Sequence, residues 1–110
     1  MARSIVGMPG VRLIIQFTAD SAETAEQAVS ETAERCKRVQ QEPGCLQYEV
    51  FRSAMQPEKY VLLEHWDSQE SLDVHFKAMA SSPPRSRAGI TRVREDYEYQ
   101  QTSSAPAGTR

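Results

Sequence analysis

The residues of this sequence best suited to chemistry are Glu64, His65, Trp66 and His75, a short stretch with Tyr48 upstream of it. Histidine, with an ordinary pKa of about 6.5, can take and return a proton near neutral pH. His75 recurs with Leu72, Phe76 and Met79 at three- and four-residue intervals, which puts all four on the inner face of one amphipathic helix. Such an imidazole either serves as a base in an apolar layer or is a buried histidine satisfied by one backbone carbonyl. Trp66 offers a large apolar ring and a single N–H donor, suited to a pocket wall that donates to a substrate oxygen, or to plain core. Glu64 alternates onto the same strand face as Trp66, where it could orient His75 or pair with Arg52 across a hairpin. Tyr48 shares a face with Leu46 and Val50 and can bind a substrate oxygen or cap the core. His65 points the other way, toward an interface or solvent. Arg85 and Arg87 follow the end of the helix and could steady an anion at a pocket mouth, or simply be solvated.

Other chemistries find little support. Two histidines on either side of a strand–helix boundary, facing different ways, do not make a metal site. Cys36 and Cys45 lack the CxxC spacing of redox or zinc centres and read as free thiols filling small apolar gaps. The five glycines are scattered, so no loop cradles a phosphate. A net charge of -2 without a basic stripe argues against nucleic acid as a partner. No segment approaches the roughly 20 apolar residues of a membrane helix. The opening ten residues carry no apolar run of signal-peptide length, so a cytoplasmic location is expected.

These residues need elements to position them. Val11–Thr18 reads as a strand with Val11, Leu13, Ile15 and Phe17 on one face. Asp20-Ser21 offers an N-cap, with a capping-box spacing from Asp20 to Glu23. The helix that follows turns Ala22, Ala25, Val29, Ala33, Cys36 and Val39 inward, and Pro43-Gly44 closes it. Leu46–Arg52 is the second strand, 53–58 a polar hairpin loop, and Tyr60–Trp66 a third strand apolar on both faces, hence covered on both sides. A second helix is capped at Asp67 and stops at the SSPP run from Ser81 to Pro84. Ile90–Tyr99 alternates as the last strand. The domain therefore spans 11–100, between a flexible segment 1–10 and a disordered tail 101–110.

The order βαββαβ is ferredoxin-like: α+β, a four-stranded antiparallel sheet with two helices on one face. The other sheet face keeps Ile14, Phe51 and either Leu62 or Leu63. An apolar sheet face left open on a 110-residue chain predicts a homodimer that stacks two sheets.

Between Glu42 and Ala80 the sequence resembles the antibiotic biosynthesis monooxygenase family. The motifs are EPGC-L-x-Y at Glu42–Tyr48, E-x-W at Glu64–Trp66, and S-L-x-x-H at Ser71–His75. The resemblance implies a dimeric α+β barrel. It also implies a cofactor-independent monooxygenase that uses O2 to oxidise a phenolic, quinol or polycyclic aromatic molecule to a quinone. An isomerase or cyclase, or a non-catalytic module for a small aromatic ligand, is the alternative on the same fold. On this reading His75 is the base and Trp66 its catalytic neighbour, while Glu64, Tyr48, Arg52, Leu72, Phe76 and Met79 bind substrate. Haem-degrading relatives rely on a histidine late in the second helix or just after it, and Ala80–Gly89 contains none.

Overall fold

The computed structural model describes residues 10–80 and 88–99, with the backbone alone described at 97–99. The expected flexible start and disordered tail, and the arginines Arg85 and Arg87, lie outside the described residues.

Six elements follow the expected order: β1 (Gly10–Ala19), α1 (Ala22–Val39), β2 (Cys45–Arg52), β3 (Lys59–Trp66), α2 (Gln69–Ala80) and β4 (Ile90–Tyr99). The strands form one antiparallel sheet in the order β2-β3-β1-β4, the ferredoxin-like arrangement. Leu13 and Ile15 of β1, Leu62 and Trp66 of β3 and Tyr48 of β2 share a face. Cys36 and Val39 of α1 and Leu72 of α2 close over it to form the core. Burying these apolar side chains drives the two layers together.

Several local expectations need correction. Within the Asp20-Ser21 pair the N-cap is Ser21, with Thr24 N donating to Ser21 Oγ at 3.1 Å, so the capping box does not start at Asp20. The second helix is capped by Ser68 rather than Asp67, with Ser71 N donating to Ser68 Oγ at 3.1 Å. Asp67 ties the turn together instead, accepting from Ser71 Oγ at 2.7 Å while its own N–H donates to Gly44 O at 2.8 Å. Helix α1 ends at Val39, ahead of Pro43-Gly44, in turns that bond Gln41 N to Arg38 O and Glu42 N to Val39 O. Its inner face carries Ala28, which was not expected there, while Ala22 is exposed.

On β3, Leu62 faces the helices, whereas Val61 and Leu63 face away and are only half-buried, so among the described residues no element covers the strand on both sides. Beside them on that open face lie Ile14 and Phe51, the latter exposed. β4 places exposed Val93 on the same open face and turns Arg92, Arg94 and Asp96 toward the helices. His65 faces away from the helices as expected, yet it is buried. Gly10 packs against its ring so closely that a Cβ there would lie 2.9 Å from Nε2. Burial and the Arg12 charge lower the pKa of His65.

Candidate functional site

The last residues of β3 deliver Glu64 and Trp66 to the helix-bearing face. Register sets Tyr48 and Leu13 beside Glu64, and Cys45 and Val11 beside Trp66. Helix α2 lays Leu72 and His75 over them. The turn between α1 and β2 brings in Glu42, distant in sequence. The result is a compact polar cluster inside the core, at one end of the sheet.

His75 is its centre and is 1% exposed. Its ring centroid lies 4.8 Å from that of Trp66, 5.7 Å from Tyr48 in an edge contact and 5.9 Å from Phe76. Nδ1 lies 2.8 Å from Oε1 of Glu42. Nε2 is buried and has no hydrogen-bond partner among the described residues. Buried polar atoms are nearly always paired, so an unpaired ring nitrogen in a core is informative.

Around the imidazole the other groups are tied down. Trp66 Nε1 donates to Glu64 Oε1 at 2.9 Å, so the donor expected for a substrate oxygen is already engaged. Burial raises the Glu64 pKa, against the opposing effects of the Trp66 N–H, His75, Arg94 and Arg35. Burial, then the Glu64 charge, pushes the Tyr48 phenol up as well, which keeps its O–H a donor. Arg35 reaches in from α1 toward Tyr48, with its Nε buried and unpaired. Arg94 of β4 stacks over the Phe76 ring at 4.8 Å and grips Asp96 through two 2.7 Å bonds. Burial raises both thiols, Cys45 to about 11, and neither is in a disulfide.

Of the residues singled out in the sequence, His75, Trp66, Glu64, Tyr48, Leu72 and Phe76 come together. Arg52 and Met79 do not. Arg52 stands opposite Tyr60 at the other end of β2 and donates to Pro57 O and Ala22 O, both at 2.8 Å, so the expected pairing with Glu64 does not occur. Met79 falls on the last turn of α2 and is 44% exposed. Glu42, not Glu64, holds the imidazole. Glu42 sits in the EPGC motif, but nothing local signals a contact with a residue 33 positions away. Arg35, adjacent to buried Cys36, is hard to find in the sequence because charge usually marks the outer face of a helix.

Among the described residues, no three His, Cys, Asp or Glu side chains gather as metal ligands. None of the helices described is long and apolar enough to cross a membrane. A groove of about 300 Å³ lies away from His75, where Gln16, Val61 and Phe51 stand side by side on the open sheet face.

The fold is ferredoxin-like α+β, with a buried imidazole between its helices and its sheet. The chain belongs to the antibiotic biosynthesis monooxygenase family, whose pattern matches residues 10–82. Solved structures agree in fold. A Deinococcus radiodurans protein bearing the family's name is 22% identical, with a TM-score of 0.63 over 83% of this chain and 94% of that one. The haem degrader MhuD from Mycobacterium tuberculosis is also 22% identical, with a TM-score of 0.63 over 81% of this chain and 94% of its own. SnoaB from Streptomyces nogalater, a cofactor-independent oxygenase, is 19% identical, with a TM-score of 0.57 over 86% of this chain and 97% of its own. No curated protein sequence matches the chain.

Proposed function

We propose that this chain is a cytoplasmic, cofactor-independent monooxygenase that oxidises a phenolic or quinol aromatic molecule to a quinone with O2, using His75 as the base. The observation that carries the reading is the Nε2 atom of His75, buried among Trp66, Tyr48 and Phe76 with no hydrogen-bond partner among the described residues. A proton acceptor surrounded by aromatic rings suits an aromatic O–H. Membership of a monooxygenase family and likeness of fold to SnoaB support the class of reaction.

The chemistry balances without a cofactor. Nε2 takes the substrate's acidic proton, and the resulting anion passes one electron to O2. The substrate radical and superoxide combine at a ring carbon that carries hydrogen. The imidazolium returns its proton to the peroxide, and loss of water leaves a carbonyl. One oxygen atom ends in the quinone and the other in water. The base need only hold the proton between two steps, so a site closed to solvent is no handicap.

The homodimer belongs to this reading. Ile14, Phe51, Val61, Leu63 and Val93 make the uncovered sheet face apolar, and a second copy would cover it.

The test is oxygen consumption by metal-stripped protein against anthrones and naphthohydroquinones, with His75→Ala alongside. Uptake that survives chelation and collapses in the variant supports the reading. Uptake no faster than uncatalysed oxidation removes it and leaves a proton-transfer isomerase or cyclase, or a module that binds aromatic ligands.

A further inference from the structure

We propose that Glu42 is the positioning residue of His75, holding the ring proton on Nδ1 so that Nε2 presents a lone pair toward the aromatic core. The inference rests on the reading of His75 as base. It adds the group that makes that base usable.

The argument starts from donor and acceptor counts. A neutral imidazole carries one N–H and one lone pair, and a carboxylate only accepts. At 2.8 Å, the Nδ1–Glu42 contact is a hydrogen bond in one tautomer alone, with the proton on Nδ1. The other tautomer would turn a lone pair toward the carboxylate. It would also bury an Nε2–H with no acceptor among the described residues. Both consequences are unfavourable, and they act in the same direction.

Glu42 is well placed for the task because its backbone is clamped on both sides. Its N–H donates to Val39 O at 2.9 Å, at the end of α1, and its carbonyl accepts from Cys45 N at 3.1 Å, at the start of β2. Pro43 restricts the next backbone angle. Gly44 then accepts from Asp67 N at 2.8 Å, which fastens the same turn to the segment that opens α2. The carboxylate and the imidazole are therefore carried by two elements joined to each other only a few residues away. The Glu42 side chain is 35% exposed against 1% for His75, so the carboxylate keeps contact with water while it faces the ring. When Nε2 holds a substrate proton, that carboxylate opposes the new positive charge. Glu64, the nearer carboxylate in sequence, is engaged by the Trp66 N–H.

The test uses the intact chain and two substitutions. In Glu42→Gln the amide oxygen can still accept from Nδ1 but carries no charge. Glu42→Leu removes both functions. His65 and His75 are the only histidines, so ring-nitrogen NMR of histidine-labelled protein resolves each of them. The neutral form of His75 is expected with its proton on Nδ1 in the wild type and in Glu42→Gln, and redistributed toward Nε2 in Glu42→Leu. With an oxidisable anthrone, kcat should fall about tenfold in Glu42→Gln and about a hundredfold in Glu42→Leu, with KM changed less than about threefold. A His75 ring that keeps its proton on Nδ1 in Glu42→Leu overturns the inference, as does unchanged kcat in that variant. The two readings fail separately. If the wild type consumes no oxygen with any substrate, the proposed reaction falls, while the ring-nitrogen signature still decides whether Glu42 sets the tautomer.

Discussion

Trp66 and Glu64, two residues apart on one strand, are joined inside the core by a 2.9 Å bond from the indole N–H to the carboxylate. The bond satisfies the only donor of a fully buried tryptophan and one oxygen of a carboxyl group that is itself buried. Its consequence is a pH dependence. Burial raises the folded-state pKa of Glu64 above the ordinary 4.5, so the folded chain favours the neutral acid more than the unfolded chain does. The stability contributed by this group is therefore fully present below the ordinary carboxyl pKa and is lost as pH rises through the raised value. Glu64→Gln keeps an acceptor for Trp66 and cannot ionise. Urea unfolding from pH 4.5 upward should show the variant gaining on the wild type as pH rises. A constant difference across that range would mean that Glu64 ionises as easily in the fold as outside it.

Trp66→Phe tests the same bond from the donor side. It leaves a buried carboxyl without the donor that now faces it, a loss of about 1–3 kcal/mol. The ring volume that disappears adds to this cost. Combined with Glu64→Gln, part of the loss should vanish, because a neutral amide is cheaper to leave unpaired than a carboxylate. Strict additivity in that double-mutant cycle would show that the two side chains do not interact.

A second expectation concerns the turn that carries Glu42. Gly44 has a φ of 84°, and a Cβ there would come within 2.7 Å of Asp67 Oδ1 and closer still to Ser71. Gly44→Ala thus meets both backbone strain and collision. A loss of at least about 2 kcal/mol in urea unfolding is expected. Because the collision pushes the turn away from α2, the Glu42–His75 contact should also weaken. The Nδ1 proton signal of His75 in the surviving folded fraction reports this directly. A variant as stable as the parent would place the turn further from α2 than the structure does.

Much of this arrangement could be read from the sequence, because strand faces follow a period of two and helix faces follow 3.6. Val11, Leu13 and Ile15 alternate onto the core face for that reason, and Leu72 and His75 share a helical stripe. Met79 fits the same stripe but sits on the last turn, where α2 leaves the sheet behind and the side chain meets solvent. The Arg52–Glu64 pairing failed because hairpin register is set by the loop. Opposite Arg52 the register places Tyr60, and opposite Glu64 it places Tyr48. The first cap is the serine of the Asp20-Ser21 pair and the second falls one residue past Asp67, on Ser68, since aspartate and serine have nearly equal N-cap preference and stand next to each other in both turns. Glu42 escaped notice because long-range contacts leave no local period.

The thiols offer a check on burial that does not depend on function. Desolvation lifts Cys45 from 9.0 to about 11, and the nearby Glu42 and Glu64 charges push the same way. Only the thiolate attacks an alkylating reagent. Two pKa units leave about a hundredfold less thiolate at pH 8 than an unperturbed cysteine would have. Cys45 should react with iodoacetamide about a hundredfold more slowly than a cysteine in an unfolded peptide. Cys36, buried under α1, should be slow as well. Rapid labelling of either without loss of fold would mean that the layer between α1 and β2 opens readily.

Assembly is tested at the opposite sheet face. Val93 is 59% exposed and Phe51 42% exposed, and both lie on the side away from the helices, with Val61 and Gln16 between them in the register. The strands that carry them, β4 and β2, are the two edges of the sheet, so substituting either leaves the central pairing of β1 with β3 intact. A glutamate at each position, Phe51→Glu with Val93→Glu, would bring four new charges into a stacked dimer, two from each copy. Carboxylates without partners are costly to bury, so a dimer formed through this face should separate. Light scattering after size exclusion should then find a monomer for the double variant and a dimer for the wild type, with helical circular dichroism retained in both. The core face is untouched by either substitution, so His75 should keep its Nδ1 proton. A dimer that survives both charges would have to pair through another surface.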